Sequence, residues 1–154
     1  MASFVYDAQL ADILLGDIHF DTDDIRAMLV KSTTTADVNV DAATLSAITS
    51  LNELTDASYT GQSTGNFSSG QYAFATQTVA NDAANDRAEV DFEDIAWAAI
   101  NNETIGGCLI YKWVDGTAAN DIPLIYVDLG DITPAGATLT ITWNAEGVVQ
   151  LANV

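Results

Sequence analysis

Ile105-Gly-Gly-Cys-Leu-Ile-Tyr-Lys112, Ile122-Pro-Leu-Ile-Tyr-Val-Asp-Leu129 and Thr138-Leu-Thr-Ile-Thr-Trp143 follow one another in the last third of the chain. Each is rich in β-branched and aromatic residues and each reads as a β-strand. Asp115-Gly116 separates the first strand, 105–114, from the second, 122–129, and residues 144–147 turn the third into a last strand at 148–151. Strands at about ten-residue spacing, closed by turn chemistry, predict an antiparallel β-sandwich.

Upstream the pattern continues with a little helix. Tyr6, Leu10, Ile13 and Leu14 recur at spacings of three and four, which predicts a short amphipathic helix packed on one face and ended by Gly16. Residues 25–30 read as a central strand, with Ala27 and Leu29 on one side and Arg26 and Met28 on the other. Residues 31–41 read as a long surface loop, Leu45, Ile48 and Leu51 as a second short helical pattern, and 58–70 as an exposed loop. Residues 71–79 and 88–92 are strand signals flanking a polar turn at 80–87, and Ile95, Trp97 and Ala99 alternate with Ala96 and Ala98. The expected architecture is therefore mainly β, an antiparallel sandwich with one or two short helices, one of them near the N-terminus.

The 154 residues suit a single domain spanning 1–154. Half of them are apolar, and 22 acidic residues against four basic ones give a net charge of −18. Such a surface repels phosphate, and Arg26, Lys31, Arg87 and Lys112 are too few to bind nucleic acid through its backbone. No apolar run approaches the ~18 residues of a membrane span, and no basic, apolar leader opens the chain. The lone Cys108 sits in an apolar strand and reads as a small buried hydrophobe.

No motif carries catalysis. Gly61-Gln-Ser-Thr-Gly65 matches the G-x-S-x-G elbow, yet no strand leads into Ser63, and the single imidazole, His19, precedes the serine instead of following an acid. One histidine without a second histidine or a thiolate cluster makes no zinc site. Asp21, Asp23 and Asp24 are the one candidate calcium cluster, and a solvated acidic turn is the favoured reading, since the glycine bend and terminal glutamate of an EF-hand are absent. Asp91, Glu93 and Asp94 lie too close in sequence to flank a sugar across a cleft. Trp97, Trp113 and Trp143 read as core aromatics more than as a carbohydrate platform. The glycosylation triplets at Asn66 and Asn102 carry no weight without a secretion signal. No cofactor is expected.

Several segments share their order with a known family: Phe4-Val-Tyr-Asp7, Asp21-Thr-Asp-Asp-Ile-Arg-Ala-Met-Leu-Val30, Gln77-Thr-Val79, Asp91-Phe-Glu-Asp-Ile-Ala-Trp97, Ile110-Tyr-Lys112 and Trp143-Asn-Ala-Glu-Gly147. In these the chain resembles the small virion structural proteins of tailed bacteriophages, of the head decoration type. It departs from that pattern at residues 33–52 and 113–120, both expected to be surface loops. The resemblance implies a non-enzymatic virion protein, made in the bacterial host cytoplasm and bound to the outer capsid surface as a decoration or cement protein. The implied partners are the major capsid protein and further copies of the chain, as a trimer or a lattice, with neither nucleic acid nor membrane. Self-association also fits the high apolar content, and it should strengthen as salt screens the acidic surface. The alternative is a tail or fibre adhesin that binds a host glycan through aromatics or the 58–70 loop.

Overall fold

Ile25–Lys31 organises the molecule, because its two faces feed two different cores. The structure, a computed structural model, describes residues 2–54, 67–68, 70–101 and 103–152. Within them the strands are β1 (Phe4–Val5), β2 (Ile25–Lys31), β3 (Phe67–Ser68), β4 (Gln71–Ala73), β5 (Gln77–Asp82), β6 (Arg87–Phe92), β7 (Ile95–Trp97), β8 (Ile105–Lys112), β9 (Ile122–Ile132), β10 (Leu139–Ile141) and β11 (Val149–Ala152). The single α-helix, α1, is Asp7–Leu15. All strand pairs are antiparallel: a six-stranded sheet ordered β1-β9-β8-β2-β4-β3, a three-stranded sheet β11-β6-β5 and the pair β10-β7. The protein is mainly β and sandwich-like, with one N-terminal α-helix, as the strand spacing predicts.

The period of two decides what each face buries. Ile25, Ala27 and Leu29 of β2 join Cys108 and Ile110 of β8 on one side of the large sheet, where they meet Val90, Phe92, Ile95, Trp97 and Ile141 from the smaller sheets. Met28 and Val30 join Leu109, Tyr111 and Tyr126 on the other side, under Tyr6, Ala36, Ala42, Leu45 and Ile48. The central reading of the 25–30 strand and its division into two faces both hold. Burial without a charged neighbour pushes the Cys108 thiol far up, so it stays protonated.

Three expectations need correction. Residues 71–79 are not one strand: the chain leaves the large sheet after β4 and enters the small one at β5. Phe74 still donates its N–H to the Ile25 carbonyl at 3.1 Å while its ring stacks on Phe92 at 4.5 Å, and the Thr76 carbonyl already accepts from Glu93, so the chain changes sheets at Ala75. Leu45, Ile48 and Leu51 do not form a helix beyond a 3-10 turn at Leu45–Ala47. The 33–52 region, expected as surface loop, is a cover over the second core. Thr34 and Ala36 are buried, and the Thr34 hydroxyl donates toward the carbonyls of Ser50 and Leu51 at 3.1 and 2.8 Å, fastening the cover's two ends together.

Gly107 shows how tightly the sheet packs against its neighbour strand. A methyl group there would stand 2.5 Å from the Tyr126 ring and hydroxyl. Gly107→Ala is therefore expected to cost roughly 1–3 kcal/mol by overpacking. Urea unfolding checks this, and Tyr126→Leu in the same chain should recover part of the loss, because the two changes share one site.

Candidate functional site: an apolar groove beside the N-terminal helix

The helix does not turn its apolar stripe to the core. Gln9 is buried and donates from Nε2 to the carbonyls of Ala42 and Ala43 at 3.1 and 3.3 Å, tying the helix to the cover segment. Ile13 packs against the first core, whereas Leu10, Leu14 and Leu15 are 44%, 77% and 76% exposed. This corrects the amphipathic expectation in its direction: a hydrogen-bonded glutamine holds the inner face and leucines are left outside. Gly16, in the left-handed region at φ +79°, ends the helix as expected, with the Asp17 N–H on the Asp12 carbonyl at 2.8 Å.

From Gly16 the chain runs through Ile18 and Phe20, both buried, along the β11-β6-β5 sheet. Between helix and sheet lies a groove of about 580 Å³. Its walls are Leu10, Ile13 and Leu14 of α1 and Val79, Val90, Val149 and Leu151 of the sheet, with His19, Asp21 and Glu89 among the lining residues. Val79 and Leu151 are half exposed. Apolar side chains left in water as one contiguous patch mark a surface that associates with another.

The few basic charges of the chain are tied down. Each of the four basic side chains is ion-paired: Arg26 with Asp24 at 2.8 Å, Lys31 with Glu103 at 3.0 Å, Lys112 with Asp23 at 2.7 Å, and Arg87 with Asp82, Glu89 and Glu146 at 3.3, 2.7 and 3.4 Å. The Arg26 guanidinium also lies over the Trp113 ring, 4.1 Å from its centre.

The structure does not gather the candidate calcium ligands. Asp23 is committed to Lys112 and accepts the His19 backbone N–H at 2.8 Å, Asp24 takes a two-pronged pair from Arg26, and Asp21 is exposed beside the groove. Among the described residues no group of three or more potential metal ligands converges. Asp91, Glu93 and Asp94 accept backbone N–H groups of Phe92, Ala75 and Trp143 respectively. Trp97 is fully buried with its indole N–H on the Gly70 carbonyl, and the Trp143 indole N–H reaches the Glu93 carbonyl at 2.8 Å. Ser63 and the triplet asparagines Asn66 and Asn102 fall outside the described residues, as does most of the 58–70 loop. Among the described residues no helix is long and apolar enough to cross a membrane.

Sequence reasoning missed a partly buried acid beside β2. Glu53, bridged to Val30 beside β2, accepts from Gln71 Nε2 at 2.8 Å, and Gln71 Oε1 in turn accepts the Tyr111 hydroxyl at 2.7 Å. Burial raises the Glu53 carboxyl above its ordinary value, and the Gln71 hydrogen bond offsets only part of the rise. A raised carboxyl favours the folded state while protonated, so its contribution is complete below the ordinary glutamate pKa and is lost as pH rises through the raised value. Glu53→Gln, which keeps an acceptor for Gln71, is thus expected to raise the thermal midpoint near pH 7 and leave it unchanged near pH 4. Thermal scans of both proteins across that range check the sign.

No protein-family model, curated protein or solved structure matches the chain.

Proposed function

We propose that the chain is a non-enzymatic structural subunit of a tailed-phage virion, a decoration or cement protein on the outside of the head. In this reading its α1 groove meets the major capsid protein, and further copies of the chain stand beside it. The observation that carries the reading is the apolar surface of α1: Leu14, which lines the groove, and Leu15 next to it stand more than three-quarters exposed on a chain of net charge −18. Leaving leucines in water costs roughly 25 cal/mol per Å² of apolar surface, a cost that association recovers. The virion assignment itself is supported by the resemblance of the segments between Phe4 and Gly147 to that family.

The adhesin alternative draws less support, because Trp97 and Trp143 are anchored through their indole N–H groups and Trp113 lies under Arg26. The test is co-sedimentation of the purified protein with phage heads that lack it. Saturable binding at a fixed ratio to the major capsid protein is expected, and heads that sediment without it would count against the proposal.

A further inference from the structure

β5 is the outermost strand of its sheet, and among the described residues only β6 pairs with it. Which backbone groups that pairing uses follows from the register. Thr78 stands opposite Asp91 and Ala80 opposite Glu89, and the Glu93 N–H donates to the Thr76 carbonyl at 3.2 Å. In an antiparallel ladder alternate residues exchange both bonds with their partner, so Thr76, Thr78, Ala80 and Asp82 turn their groups toward β6. Gln77, Val79 and Asn81 turn theirs to the open side. The neighbouring strand agrees: Val90, opposite Val79, gives its carbonyl away from β5, to the Val148 N–H at 2.7 Å.

Several other edges of the fold are guarded against pairing, although the far edge of the same sheet, β11, is also uncharged over its four residues. Beyond Tyr126 the outer side of β9 carries Asp128 and Asp131 and is bent by left-handed backbone at Gly130 and Asp131, while β1 and β3 have two residues each. Charges, bends and short strands are the usual protection of a sheet edge. β5 has none of them: from Gln77 to Asn81 it carries no charge and no proline, and residues 78–81 are exposed.

We infer that β5 is a self-association edge that receives β5 of a second copy, antiparallel, about a two-fold axis at Val79. That register sets Val79 opposite Val79 and Gln77 opposite Asn81 on either side, so every outward residue meets an outward residue and about six N–H···O=C bonds form. Charge selects a second copy over a basic partner. A basic surface would be drawn to the carboxylates, whereas an uncharged strip is where two chains of −18 approach with least repulsion. At the ends of the pairing Asp82 faces Thr76 of the other copy, not another acid, and Asp82 is already paired with Arg87. Val79 also lines the α1 groove, so pairing joins the groove walls of two copies into one apolar surface. None of this depends on the virion reading, since it concerns the free protein.

Light scattering of the purified chain in about 1 M NaCl, where the Debye length is ~3 Å, is expected to give twice the chain mass. Val79→Asp sets two carboxylates face to face and is expected to give folded monomer, with the thermal midpoint that the wild type shows when diluted to monomer. Val79→Cys is expected to cross-link with a short bis-maleimide, because the facing residues of such a hydrogen-bonded pair lie ~5.5 Å apart, close enough for a short spacer and too wide between Cβ atoms for an unstrained disulfide. Val38→Cys, at an exposed residue of the cover, should not cross-link, and buried Cys108 stays silent. A monomeric or trimeric wild type, a dimer that Val79→Asp leaves intact, or a Val79→Cys protein that does not cross-link would each overturn the inference.

Discussion

Trp97→Ala is expected to remove about 3–5 kcal/mol of folding stability, the range for deleting a large buried aromatic. Trp97, the last residue of β7 and opposite Leu139 of β10, is fully buried within the core that also holds Phe92, Ile100 and Leu54. Its indole N–H donates to the Gly70 carbonyl at 2.9 Å, next to the turn that leads into β4. Alanine would leave a cavity too well braced by the sheets to collapse, and would leave that buried carbonyl without its donor. Domains of this size have about 5–15 kcal/mol in total, so the variant should unfold at a much lower urea concentration with an unchanged slope. A loss below about 1 kcal/mol would mean that the layers are not packed as described.

Leu14→Asp together with Leu15→Asp is expected to have the opposite profile. Both side chains are largely in water, so the loss of stability should be limited to about 1–2 kcal/mol, from helix propensity and from acidic charge in the last turn of α1. If the groove is the capsid contact, burying two new carboxylates there should weaken binding to heads by at least ~30-fold, the equivalent of about 2 kcal/mol. Leu14→Met should bind like the parent, since it keeps the apolar volume. Equal head binding by the doubly charged variant would remove the groove from the interface even if the protein decorates heads through another face.

How much of this was legible in the sequence depends on how local each signal is. β8 and β9 announce themselves through continuous apolar runs around Cys108 and Ile125, and strands buried on both faces produce that pattern. The two faces of β2 follow from alternation alone. The helix was legible at Gly16 and in its spacing, but its buried side was not, because Gln9 is held by carbonyls of Ala42 and Ala43 more than thirty residues away. The cover over the second core failed for the same reason: Thr34 and Ala36 sit in a polar, loop-like stretch, and only their bonds to Ser50, Leu51 and Tyr6 make them interior. The acidic turn could be located at Asp21, Asp23 and Asp24, whereas the pairing of Asp23 with Lys112 spans most of the chain and leaves no local trace. Likewise the groove needs α1 and β5, β6 and β11 brought together, which no window of sequence contains.

Cryo-electron microscopy of phage particles produced by the genome that encodes this chain tests the central proposal most directly. The expected map has the sandwich-like fold on the outer surface of the head, with Leu14 and Leu15 of α1 against the major capsid protein. A map in which this fold occurs only in the tail, or in no part of the particle, would contradict it.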